Sequence, residues 1–171
     1  MPLVSGEKIL FIGDSITSAG RDADPEDLGF GYVRLVRDML WVRYPECEFE
    51  IVNRGVGGDT VRDLAVRWER DAVGVGPDLA VVSIGVNDVW RQWPEPEHPD
   101  GVPLAEFEAT YRRLLARLRE ACGCRFALCE PSIIGERRED PHTALLAPYI
   151  GCVRGLAEEF GAVLVPMNAA F

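Results

Sequence analysis

The chain is predicted to fold as an α/β domain, a parallel β-sheet covered by helices on both faces. Three observations predict it. Short apolar runs of strand length alternate with longer amphipathic stretches along the chain. Three of those runs end in glycine-bearing turns, at Gly13-Asp14-Ser15, Gly55-Val56-Gly57-Gly58 and Gly85-Val86-Asn87. The size, 171 residues of which 47% are hydrophobic, suffices for one sizeable core, so a single domain over 1–171 is expected.

The first strand is predicted at Lys8–Ile12, where Ile9-Leu10-Phe11-Ile12 is a continuous apolar run suited to a sheet buried on both faces. Tyr32, Val36, Met39 and Leu40, at intervals of four, three and one, mark the helix that follows. A second strand is expected at Glu48–Val52. Val61, Leu64 and Trp68 then form the apolar stripe of a helix whose N-cap is either Asp59 or Thr60. The third strand, Leu79–Ile84, leads into Gln92–Pro103, whose four prolines and lack of any period predict a surface loop. That loop leaves the sheet at the edge where doubly wound folds hold their ligands. Leu104–Ala121 is the clearest helix, with Leu104, Phe107, Tyr111, Leu114, Leu115 and Leu118 on one stripe. A strand at Arg125–Cys129, a helix at Ala147–Phe160 and a strand at Ala162–Val165 complete the pattern.

Composition excludes several classes of partner. The net charge is −10 and no basic stripe is present to neutralise a phosphate backbone, so nucleic acid is not an expected ligand. The first apolar run is too short for a signal-peptide core, and no run reaches transmembrane length. A soluble cytoplasmic protein is therefore expected, with no membrane partner. Cys47, Cys122, Cys124, Cys129 and Cys152 are odd in number, which predicts free thiols rather than a disulfide framework. Cys122-Gly-Cys124 lacks paired C-x-x-C units, so no metal is expected.

The chemistry concentrates at the three turns. Ser15 follows a strand and a glycine, which holds its hydroxyl on a rigid support open to substrate and makes it a candidate nucleophile; the competing role is a plain turn with Asp14 or Ser15 as helix cap. Asn53-Arg54-Gly55-Val56-Gly57-Gly58-Asp59-Thr60 opens a helix, and its backbone N–H groups can face an anion. Asn87 supplies a side-chain amide, either as a donor or as an Asx turn. Successive parallel strands end side by side, so a hydroxyl, a glycine N–H and an amide are expected around one point. That is a nucleophile with an oxyanion hole, the arrangement for acyl transfer.

These blocks resemble the SGNH/GDSL hydrolase superfamily, which carries G-D-S near the N-terminus, G-x-x-G-x-T and G-x-N-D in the order found here. The wider likeness, through Gly31-Tyr32-Val33, Arg43-Tyr44-Pro45-Glu46, Val61-Arg62-Asp63-Leu64 and Asn87-Asp88-Val89-Trp90-Arg91-Gln92, is to the bacterial acetylxylan esterase branch. The resemblance implies a flavodoxin-like three-layer α/β/α fold with a five-stranded parallel sheet. It also implies no metal or cofactor, and a small acylated carbohydrate as substrate. Ser15 would be the nucleophile, with its own N–H, the Gly58 N–H and the Asn87 amide as the oxyanion hole. Asp14, Trp90 and Arg91 are candidate substrate contacts, with Trp93 beside them at the mouth.

The family activates its serine with a histidine in an Asp-x-x-His-Pro block after the last strand. This sequence lacks that block, and its histidines are His98 and His142. The resemblance thus implies a domain C-terminally incomplete relative to the family and without its terminal helix. In the alternatives, Asp140-Pro141-His142 is a relocated dyad with His142 as base, or the chain binds sugar without turnover. A sheet face short of its cover also leads us to expect a homo-oligomer.

Overall fold

A computed structural model describes residues 2–92, 99–132 and 141–170. Five strands, β1 (Lys8–Gly13), β2 (Glu50–Gly55), β3 (Leu79–Ser83), β4 (Arg125–Cys129) and β5 (Val163–Val165), form one sheet in the order β2-β1-β3-β4-β5. All four pairings are parallel. This is the flavodoxin-like order, in which the direction of strand addition reverses between β1 and β3. The helices are α1 (Ser15–Ser18), α2 (Tyr32–Arg43), α3 (Val61–Asp71), α4 (Val86–Trp90), α5 (Leu104–Cys122), α6 (Pro141–Glu159) and α7 (Met167–Ala170).

Side-chain alternation along the strands builds two core layers. Leu10, Ile12, Ala80, Val82, Phe126 and Leu128 pack with Leu64 and Trp68 of α3, Phe107, Tyr111 and Leu118 of α5 and Leu156 of α6. Ile9, Phe11, Val81 and Ala127 point to the opposite face, where Val33, Val36 and Leu40 of α2 meet them. That second face is covered less completely. An apolar groove of about 390 Å³, bordered by Phe11, Val36, Leu40, Val81, Ala127 and Val165, runs along it.

Several boundaries differ from expectation for local reasons. β2 starts at Glu50 rather than Glu48 and continues through Asn53-Arg54-Gly55, because each of these residues pairs with β1. Thr60, not Asp59, caps α3: its side chain accepts from Asp63 N while the Asp63 side chain accepts from Thr60 N, a capping box. α6 begins at Pro141, six positions before Ala147, since proline suits the first turn, where its missing N–H costs nothing. Met39, expected on the core face of α2, is 70% exposed; Val33 and Arg37 hold the inward face instead, and Leu35, Met39 and Val42 form an outward apolar stripe. The Gln92–Pro103 segment is not wholly superficial. Val102 is fully buried, and Gln92 Nε2 lies within hydrogen-bond reach of Asp88 O, Val102 O and Tyr149 Oη, which share its two N–H donors.

Candidate active site

The tips of β2, β1 and β3 lie side by side, with Gly13 in register with both Gly55 and Ser83. Beyond Gly13 the chain turns at Asp14, whose carboxylate accepts from Ile16 N at 3.0 Å and caps α1. Ser15 is the first residue of that helix and is exposed. The cap and the exposed hydroxyl are thus present together: Asp14 caps and Ser15 faces outward. Asp14 itself is 1% exposed, and it borders the site from below the serine rather than from its open side.

Two residues hold α1 against β2. Gly55 is required by close approach, because a Cβ there would lie 2.1 Å from Ser18 N. Asn53, 1% exposed in the strand interior, donates through Nδ2 to Thr17 O (2.8 Å) and Leu28 O (2.7 Å) and accepts from Gly55 N through Oδ1 (2.8 Å). A buried amide cross-linking three backbone segments fixes the pose of the serine turn. Its sequence signal was an asparagine directly after Glu50-Ile51-Val52, legible only once β2 is known to extend past it.

The glycine turn passes directly beside Ser15. Val56 N donates to Gly13 O at 3.0 Å, Gly58 takes φ +84°, and a Cβ placed on Gly57 would lie 3.9 Å from Ser15 Cβ. From β3, Asn87 Nδ2 reaches across to Asp59 O at 2.9 Å, and Arg91 Nη2 donates to Gly58 O. The structure therefore gathers Ser15, Gly57, Gly58 and Asn87 around one edge of the sheet. Arg91 is engaged with the glycine turn, and Trp90, 52% exposed, stands at the end of α4. Trp93 and His98 lie outside the described residues, as does Asp140. His142 stands in the first turn of α6, and its side chain is likewise outside them.

Burial shapes the electrostatics beneath the site. Loss of hydration raises the Asp14 carboxyl to about 6, opposed by its bond from Ile16 N and reinforced by the charge of Asp59. Asp88, fully buried, accepts from Val61 N at 2.9 Å, yet burial still lifts it to about 7. Because this pKa is raised from its ordinary 3.8, the favourable contribution of neutral Asp88 is complete below 3.8 and is lost as pH rises through about 7. Asp88→Asn keeps an acceptor for Val61 N and removes the ionisation. Between about pH 5 and about pH 8 the parent should lose about 2–3 kcal/mol relative to this variant in urea titrations; parallel pH profiles contradict this.

The thiols are chemically quiet where burial is strongest: Cys124, Cys129 and Cys152 are each pushed up to about 12 by desolvation. Beside the serine turn, Ile16, Ile84, Val86, Pro131 and Met167 line a cavity of about 50 Å³, with Asp14 and Glu130 at its polar side. Glu130, 1% exposed, accepts from Arg154 Nε at 2.7 Å and Asn168 N at 3.1 Å, tying α6 and α7 to the end of β4.

A parallel sheet that ends in an exposed serine, a tight glycine turn and an asparagine amide defines an acyl hydrolase, and the family comparison agrees. The GDSL-like lipase/acylhydrolase family matches residues 11–171, and the chain belongs to that family of esterases. The acetylxylan esterase of Geobacillus stearothermophilus is 42% identical over 178 residues, taking in 100% of this chain and 80% of that protein. The crystal structure of Axe2, an acetylxylan esterase from Geobacillus stearothermophilus, matches with a TM-score of 0.91 at 41% identity, over 99% of this chain and 80% of its own. LAE5, an alpha/beta hydrolase from the metagenome of Lake Arreo, Spain, matches with a TM-score of 0.90 at 39% identity, over 98% and 80%. Catalytic mutants of Axe2 replace a serine, an aspartate or a histidine by alanine.

Proposed function

We propose that the protein is a serine esterase that removes acetyl groups from small acylated carbohydrates such as acetylated xylo-oligosaccharides. The observation that carries the reading is the approach of the glycine turn to Ser15, close enough that a Cβ placed on Gly57 would stand 3.9 Å from Ser15 Cβ. Ser15 Oγ attacks the ester carbonyl carbon, and the resulting oxyanion accepts from Ser15 N, Gly58 N and Asn87 Nδ2. An amide nitrogen carries two N–H donors, so the bond from Asn87 to Asp59 O leaves a second for the oxyanion. Collapse expels the sugar hydroxyl and leaves acetyl-Ser15, which water hydrolyses to acetate and free serine.

A general base takes the Ser15 proton and returns it to the departing alcohol. Within this sequence His142, at the start of α6, is the candidate for that role. The small apolar cavity beside Asp14 and Ile16 suits a two-carbon acyl group better than a long chain. Trp90 and Arg91, on the α4 side of the glycine turn, suit contact with a sugar ring. Five free cysteines fit a reducing, cytoplasmic setting.

The experiment compares acetate release from acetylated xylo-oligosaccharides with hydrolysis of long-chain acyl esters, lysophospholipids and thioesters. A clear preference for the acetylated sugar is expected; preference for a long acyl chain or a thioester contradicts the substrate reading. The apolar stripe of Leu35, Met39 and Val42 leads us to propose self-association as well. Sedimentation that finds monomer alone contradicts that part.

A further inference from the structure

We propose that Arg67 is a positioning residue that locks the Ser15 turn and the Gly58 turn into one rigid piece, an inference that rests on the catalytic reading of those turns given above. Arg67 lies in α3 beneath the strand tips and is 9% exposed. Its Nε donates to Asp59 Oδ2 at 2.7 Å, Nη1 to Arg54 O at 2.7 Å and to Asp71 Oδ2 at 3.2 Å, and Nη2 to Gly13 O at 3.0 Å. Three of these acceptors belong to separate parts of the site: the end of β1 just before Asp14-Ser15, the end of β2, and the residue after Gly58.

A guanidinium holds its donors in one rigid plane, so shifting any acceptor disturbs the bonds to the others. Asp59 carries the coupling further. Its carbonyl accepts from Asn87 Nδ2 at 2.9 Å, and its N–H donates to Val56 O at 3.3 Å. Every donor assigned to the oxyanion therefore lies within two residues of an Arg67 acceptor or is bonded to the residue that carries one. Arg67 touches no reacting atom; it acts by keeping nucleophile and donors in register, where a displacement of about 1 Å costs on the order of 100-fold in rate.

The test compares Arg67→Met, Arg67→Lys and the control Arg62→Met, which removes an arginine of the same helix that pairs with Glu106 and donates to Pro99 O and Gly101 O. Two readouts are taken: kcat and KM on 4-nitrophenyl acetate, and amide hydrogen exchange over residues 13–16 and 56–59. For Arg67→Met, kcat should fall on the order of 100-fold with KM changed less than about twofold. Exchange in both segments should rise together, and Arg67→Lys, which keeps the charge but not the planar fork, should recover part of each. If Arg67→Met does not fold, Arg67→Lys carries the comparison, with a smaller loss in kcat and the same paired rise in exchange. Unchanged exchange in either segment, or a kcat no lower than that of Arg62→Met, overturns the proposal. Should the parent hydrolyse no ester, the esterase reading fails, and the exchange result still decides whether Arg67 couples the turns.

Discussion

Ser15→Ala is expected to abolish ester hydrolysis, with kcat falling by about 10⁴- to 10⁶-fold. The reasoning is chemical before it is structural. Without the hydroxyl no acyl-enzyme forms, and what remains is the weak help that the oxyanion donors give to direct attack by water. The same change should hardly touch the fold. Ser15 is exposed, and the cap of α1 is provided by Asp14, so stability should stay within about 0.5 kcal/mol of the parent. Sugar binding should also persist, which separates a lost nucleophile from a lost site. Steady-state kinetics with thermal denaturation as control checks both halves, and a variant that keeps more than about a tenth of the parent kcat contradicts the assignment.

Gly55→Ala carries a large expected effect on the fold. The added Cβ would stand 2.1 Å from Ser18 N and 2.6 Å from Thr17 C, and both are backbone atoms that cannot rotate away. Relief requires α1 to move off β2, against the bonds from Asn53 to Thr17 O and Leu28 O. Overpacking of a core by one methyl usually costs about 1–3 kcal/mol; with no flexible side chain to yield, the upper end or beyond is expected here. Since α1 begins at Ser15, any accommodation also moves the nucleophile relative to Gly58 and Asn87. Urea titration should show a loss of at least about 3 kcal/mol together with a fall in kcat. A change of less than about 0.5 kcal/mol would mean that the close approach does not exist.

What could be read in the sequence followed from period and punctuation. The stripe Phe107, Tyr111, Leu114, Leu115 and Leu118 is buried as its spacing requires, and the five strands lie where apolar runs place them, because these patterns repeat often enough to outweigh local exceptions. The site was legible because three turn motifs follow three strands, and parallel pairing brings their ends together. Three things were not legible. Asn53 and Arg67 are polar residues on buried faces, and nothing local separates them from solvated neighbours until the backbone carbonyls that they satisfy are known. The outward turn of Met39 depends on how α2 is rotated on its sheet face, since the apolar residues of that helix spread over more than one side. Asp14 matched a family block but not its depth: the turn that exposes Ser15 buries the carboxylate before it.

The central claim is that three neighbouring strand ends bring together a nucleophile for the ester carbonyl carbon and three donors for its oxygen. A crystal structure of the protein after reaction with a serine-directed phosphonate tests it most directly. The account predicts a covalent bond from Ser15 Oγ to phosphorus, with one phosphoryl oxygen within about 3.1 Å of Ser15 N, Gly58 N and Asn87 Nδ2. Label on another residue, or a phosphoryl oxygen turned to solvent away from Gly58 and Asn87, would contradict it.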